Sequence, residues 1–325
     1  MGDLQMSRPL QVLAVSSAAL VVSVGLLIQS GCSIPEESPA SKSTTSTVSS
    51  PFPDIETVDG LALEARIPEA LSSAAGRGAD VRFALLDRRT GAYFASGDTD
   101  QLETASVSKL FIVDDVLRGA ELTQTSVAAD DLASITTMLT SSDDSAATYL
   151  WSKYGGSDIV ERVAQRYGLA FTTAPWDGQW WNTTTSAGDI VAYYNRLLDG
   201  RGGLSPASTA VMLGLLRESA PVATDGYLQH FGIVDGLPSE AIHAVKQGWM
   251  CCIVGRWLHL STGTVGVDNR YVIAILSREE IQYDDGVERF PDTSVFDVSD
   301  DSSARHARDT VTGFVNMLFP DGRID

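Results

Sequence analysis

SVSKLFIVDDVL, residues 106–117, is the stretch on which the reading of this chain turns. Ser106 and Lys109 stand at the start of a run whose apolar residues recur at helical spacing. On a helix, an i, i+3 pair puts the hydroxyl and the amine on one face, within hydrogen-bond reach. A serine hydroxyl is a poor nucleophile until a neighbour takes its proton, and a lysine with a lowered pKa can take it. The helix N-terminus adds a field that favours negative charge on the serine oxygen. Serine is abundant in this chain, so the four-residue pattern alone carries little weight.

Its surroundings carry more. LALEARIPEALSSAAG (61–76) has helical periodicity and stops at Gly-Arg-Gly. VRFALLDRRTGAYFASGD (81–98) reads as a strand, an Arg-Thr-Gly turn and a second strand. From about 120 to 240 helix-like segments are broken by Gly, Pro and Asp, with few convincing strands. Strand character returns in AIHAVKQGW (241–249), RWLHLSTG (256–263) and RYVIAILS (270–277). DSSARHARDTVTGFVNML (301–318) begins with capping residues and repeats apolar positions at helical spacing. This order predicts an α/β (α+β) domain over 54–325, a sheet with strands from both ends of the chain and an α-helical insertion between them. Terminal helices would cover one face, and a small-molecule cleft would lie where the insertion meets the sheet.

Composition narrows the partners. The formal net charge is −19 and no basic stripe with interleaved aromatics occurs, so nucleic acid is not expected. The four histidines, at 230, 243, 259 and 306, show no metal-ligand spacing, and neither metal nor cofactor is expected. Residues 12–28 form an uncharged apolar run behind Arg8, of signal-peptide length, and Met6 offers an alternative start. The run ends in Gln29-Ser30-Gly31-Cys32, which is similar to a bacterial lipobox although Gln29 stands where an aliphatic residue is usual. Residues 1–31 then read as a signal peptide and Cys32 as a lipidation site. An ordinary signal peptide or membrane anchor is the alternative. Residues 32–53 are rich in Ser, Thr and Pro and read as a disordered spacer. The expected product is exported, monomeric and held at the cell membrane only through its lipid. Cys251 and Cys252 are read as two buried thiols on a core strand, with a vicinal disulfide as the other possibility.

Lysine is scarce, occurring only at 42, 109, 153 and 246, which gives two further elements significance. Ser142-Asp143-Asp144-Ser145-Ala146-Ala147 opens a helical segment, and Lys246-Gln247-Gly248 lies on a strand. With Ser106-x-x-Lys109 they resemble, in order and in the element that carries each, the S-x-x-K, S-D-N and K-T-G motifs of serine β-lactamases and penicillin-binding proteins. The resemblance covers about residues 54–325 and implies a five-stranded antiparallel sheet with a helical subdomain. It implies acylation of Ser106 with Lys109 as base, and proton relay through Ser142 beside Lys246. The backbone N–H groups of Ser106 and Trp249 would form the oxyanion hole, and Gly248 would let a substrate backbone approach the strand. Asp144, Gln247, Gly248 and Trp249 would contact the substrate. The ligands implied are peptidoglycan-like peptides or β-lactams.

The departures matter as much. Asp144 replaces an Asn and cannot donate as an amide does. Gln247 replaces a Thr or Ser that would help bind a substrate carboxylate. Class A enzymes release the acyl group with an omega-loop glutamate, yet no Glu occurs between Glu161 and Glu218. Asp177 is the only acid near the corresponding stretch, and its place does not match. Only 36 positions separate Ser106 from Ser142, fewer than in the family it resembles. Trp176, Trp180 and Trp181 in the same stretch would either stack on a ligand or pin the loop to the helices. Two functions follow: a serine acyl-transferase or hydrolase with slow deacylation, or a non-catalytic envelope protein that keeps the fold and binds a ligand.

Overall fold

The computed structural model describes residues 60–324, apart from 284, 288, 292 and 294–298. The readings of the apolar run, of Cys32 and of the Ser/Thr/Pro spacer lie outside the described residues.

The chain opens with α1 (Gly60–Gly76), β1 (Ala79–Asp87) and β2 (Tyr93–Ser96), then the short β3 (Leu102–Glu103). A 3₁₀ turn over Ala105–Ser108 leads into α2 (Lys109–Thr123). There follow α3 (Ala129–Thr140), α4 (Asp144–Tyr154), α5 (Asp158–Tyr167), a 3₁₀ turn at Trp180–Asn182, β4 (Thr184–Thr185), α6 (Ala187–Leu198), α7 (Pro206–Arg217) and α8 (Ile233–Gly236). The chain then returns as β5 (His243–Ile253), β6 (Arg256–Val265), β7 (Tyr271–Glu280) and α9 (Ser302–Leu318).

Five strands form one antiparallel sheet in the order β2-β1-β7-β6-β5. The last strands therefore lie beside the first, and the helical block is an insertion in sequence. Strand alternation sorts the apolar residues to two sides. Phe83 and Leu85 of β1, with Ile273 and Ile275 of β7, join Leu63 of α1 and Val311 and Phe314 of α9. The rings of Phe83 and Phe314 meet edge to face with centroids 5.6 Å apart. Ala84, Val272, Ala274 and Leu276 face the other way, into a core with Val107, Leu110 and Phe111 of the nucleophile segment. The sheet is thus covered by terminal helices on one face and by the helical block on the other. Each of these buried large apolar side chains contributes roughly 1.5–3 kcal/mol.

Three local readings change. Ser106 stands on the 3₁₀ turn ahead of α2, and Ser142 stands in the loop before α4, whose N-cap is Asp143. Both departures involve left-handed backbone at a residue other than glycine, with φ of +42° at Ala105 and +55° at Ser142. Such conformations cost on the order of 1–3 kcal/mol each and occur where a side chain must be aimed. Cys251 and Cys252 are not two core thiols. They form a vicinal disulfide on β5, the edge strand, and are half-buried. The ladder between β5 and β6 loses register between Met250 and Ile253, so strand alternation does not force these neighbours to opposite faces.

Candidate active site

Ser106, Lys109, Ser142 and Lys246 come from three separate parts of the chain and meet at one point. Lys109 Nζ lies 2.7 Å from Ser106 Oγ and 3.2 Å from Ser142 Oγ. It also donates to the Ser142 carbonyl at 2.6 Å and to Asp144 Oδ1 at 2.5 Å. Lys246 Nζ donates to Ser142 Oγ at 2.9 Å and to its neighbour's carbonyl, Gln247 O, at 2.9 Å. The Ser142 hydroxyl therefore sits between two amines, one of which touches the Ser106 hydroxyl. Both lysines are buried, Lys109 at 0% and Lys246 at 1% exposure. Burial lowers the Lys109 pKa, and Asp144 pulls it back up. Lys246 is pushed well below the usual lysine range, first by burial and then by the positive charge of Lys109.

The nucleophile turn is fixed from two sides. Thr104 N–H donates to Thr183 O at 2.8 Å, tying the turn to the segment after Trp180–Asn182. On the other side it packs against β5 at Gly248. A Cβ there would stand 2.7 Å from Thr104 O and 3.2 Å from Ser106 N. A side chain at Gly248 would therefore collide with the nucleophile's own backbone.

Gln247 does not join the cluster. Its neighbours Lys246 and Gly248 face the nucleophile turn, so alternation sends Gln247 to the opposite face. There it is buried and donates to Phe231 O at 2.7 Å. Trp249 follows the same alternation. Its ring stacks on Tyr227 with centroids 4.7 Å apart, and its indole N–H donates to Asp225 Oδ2 at 3.3 Å.

A cleft of about 370 Å³ opens over this cluster. It is lined by Ala105, Ser106, Asp144, Trp180, Trp181, Asp225, Trp249, Met250, Cys251 and Thr293. The three tryptophans divide. Trp180 is buried with its ring 4.7 Å from Lys109 Nζ and its indole N–H on Thr148 Oγ1. Trp181 meets it edge to face and lines the cleft, while Trp176 is exposed. Asp177 folds back on its own loop, accepting from Gln179 N–H and from the Asn182 amide. Asp225 is the residue that the sequence reading missed. It stands in a Thr-Asp-Gly turn, accepts from Tyr227 N–H at 3.0 Å and faces the cleft near both lysines. Its only sequence signal was that of a turn.

The arrangement has counterparts. A family model described as the beta-lactamase enzyme family matches residues 123–292, which leaves Ser106 and Lys109 ahead of the matched span. The protein named "Putative lipoprotein LppW" from Mycobacterium tuberculosis is 44% identical over 262 residues, covering 81% of this chain and 76% of that protein. Its namesake from Mycobacterium bovis matches to the same extent. Among solved structures, a β-lactamase from Sphaerobacter thermophilus superposes with a TM-score of 0.59 at 14% identity, over 79% of this chain and 97% of its own. A variant of PBP-A, solved as an acyl-enzyme complex with penicillin G, gives 0.61 at 17% identity over 80% and 96%. At such identities the likeness to solved structures is one of fold. Together with the family match across half of its length, it shows that this chain belongs to the β-lactamase enzyme family.

Proposed function

We propose that this protein is a serine acyl-transferase or hydrolase of the β-lactamase and penicillin-binding type, acylated at Ser106 and slow to release the acyl group. The observation that carries the reading is the chain of contacts Ser106 Oγ–Lys109 Nζ–Ser142 Oγ–Lys246 Nζ, at 2.7, 3.2 and 2.9 Å. Neutral Lys109 takes the proton of Ser106 Oγ as that oxygen attacks the acyl carbon. The N–H groups of Ser106 and Trp249 receive the negative charge on the carbonyl oxygen. Lys109 returns that proton through Ser142 to the leaving group, and Lys246 Nζ, hydrogen-bonded to Ser142 Oγ, steadies the oxygen that remains.

Deacylation needs a second base, and Trp180 supports its absence. The Trp180 indole ring, from the glutamate-free stretch between Glu161 and Glu218, lies 4.7 Å from the Lys109 amine. Asp144 is already engaged with Lys109 and Asp177 with its own loop, and Asp225, the other cleft carboxylate, is held on the Trp249 side by Tyr227 N–H and the Trp249 indole. The naming of the LppW relatives as lipoproteins supports anchoring of this chain to the envelope, with Cys32 as the attachment point.

Incubation with a fluorescent penicillin and with a neutral peptide ester, followed by intact-mass analysis, tests this reading. The expected result is a persistent adduct with at least one probe that is absent in Ser106→Ala. Rapid turnover of a chromogenic cephalosporin would overturn the slow-release part. A second reading, a ligand-binding protein without turnover, draws on Asp144 standing beside Lys109 and on Gln247 facing away from the cleft. Absence of any adduct with β-lactam, ester and fluorophosphonate probes selects it.

A further inference from the structure

We propose that the ligand of this cleft is cationic, and that Asp225 pairs with a side-chain ammonium or guanidinium group of the bound peptide or acyl donor. The inference rests on the site proposed above and names the substrate class for it.

Three observations converge. First, no arginine or lysine lines the cleft among the described residues, while two carboxylates, Asp144 and Asp225, do. The lysines beneath it are buried and committed, Lys246 to Ser142 Oγ and Gln247 O, and Lys109 to Ser106, Ser142 and Asp144. Second, the strand position from which a hydroxyl would meet a ligand carboxylate is Gln247, and its amide is turned to Phe231 O on the far side of β5. Among the described residues on that wall the side-chain donors are the Trp249 indole, given to Asp225, and the Thr293 hydroxyl, given to Cys251 O. Third, Asp225 is held in place and has capacity left. Tyr227 N–H fixes Oδ1 at 3.0 Å and the Trp249 indole fixes Oδ2 at 3.3 Å, with Tyr227 stacked on Trp249 behind them. A carboxylate offers about four acceptor positions, so a further donor from the cleft can be taken without breaking either bond.

A ligand carboxylate brought to this wall would meet like charge, whereas an ammonium would gain a charge-assisted hydrogen bond. Trp181, half-buried and also lining the cleft, adds an aromatic face of the kind that favours cations. Asp144 is already paired with Lys109, so Asp225 is the carboxylate left for the ligand.

The test uses the Ser106→Ala protein and three small amides: Nα-acetyl-lysine amide, Nα-acetyl-norleucine amide and Nα-acetyl-glutamate amide. Tryptophan fluorescence reports binding, because Trp181 and Trp249 line the cleft. The lysine amide is expected to bind on the order of tenfold more tightly than the norleucine amide, with the glutamate amide weakest. Asp225→Asn, which keeps an acceptor oxygen for Tyr227 N–H but sets an amide NH2 against the Trp249 indole, should bring the three to within about twofold of one another. Asp225→Glu should restore part of the preference. Equal affinities with Asp225 present, tighter binding of the glutamate amide, or no saturation by the lysine amide up to ~50 mM would each overturn the proposal. The failures are separable. Acylation of Ser106 without charge preference defeats this inference alone, whereas lysine selectivity without any adduct defeats the nucleophile and leaves the ligand class standing.

Discussion

At Lys109 two influences compete, and their balance sets when Ser106 can react. Burial favours the neutral amine, while Asp144 Oδ1 at 2.5 Å favours the ammonium. Only the neutral form accepts a proton from Ser106. In Asp144→Asn the opposing carboxylate is gone, the Lys109 pKa falls further, and the neutral fraction appears at lower pH. The acid limb of the Ser106 labelling rate, followed with a neutral ester from pH 5 to 10, should therefore move down. Because the Asp144 side chain is 64% exposed, solvent screening keeps the move small. A limb that stays in place or rises would show that Asp144 does not control the base. At this scale the sequence, through scarce lysines at motif spacing, singled out Ser106, Lys109, Ser142 and Lys246, which the fold brings to one point. It was a poor guide for Asp225, because a Thr-Asp-Gly turn looks the same whether it faces solvent or a nucleophile. Gln247 was readable in principle: a strand that aims Lys246 and Gly248 at Ser106 has to aim Gln247 away.

The helical block positions Lys109 through α2, and α2 is held by charge as well as by apolar packing. Asp114, fully buried on α2, accepts from Tyr167 at 2.6 Å and Tyr193 at 3.2 Å and pairs with Arg166 of α5. Arg166 also reaches Asp115 at 2.9 Å, so one guanidinium spans two carboxylates of the same helix. Burial raises the Asp114 pKa to about 6 even with Arg166 drawing it down. Arg166→Met removes the cation and leaves a buried charge, which should cost about 3–5 kcal/mol at pH 7. Asp114 is protonated as the pH falls, so the penalty should shrink between pH 7 and 5. Urea midpoints for the two proteins across that range provide the check, and a constant gap would mean that Asp114 is not the charge being compensated. Sequence periodicity located α1 and α9 well, since each has a single apolar stripe against the sheet. It gave little for the block, where α2 is buried on nearly every side and α5 is held to it by ion pairs.

In the whole molecule, the site exists only because the last strands return beside the first. Lys246 on the edge strand β5 is brought to Ser142 from 104 positions away in sequence. That the sheet joins strands from both ends of the chain was legible from the placing of strand-like runs. The vicinal disulfide was not, because it depends on where the β5–β6 ladder loses register. Bringing two amines into one buried site carries a folding cost that changes with pH. Lys246 is pushed well below the usual lysine range in the folded protein, so the unfolded chain binds the additional proton between that lowered value and about 10.5. Stability must then rise with pH through this window, by at most about 1.4 kcal/mol per unit for the one proton. Lys246→Met has no proton to take up at this position, and Met is close to Lys in length. Its stability relative to the native protein should be most favourable at the acid end of this window and should fall steadily toward its upper end. Urea unfolding at constant ionic strength, with unchanged dependence on denaturant, measures the difference directly. Parallel stability curves for the two proteins would mean that Lys246 keeps its proton in the folded state, and the charge at the Ser142 relay would have to be reassigned.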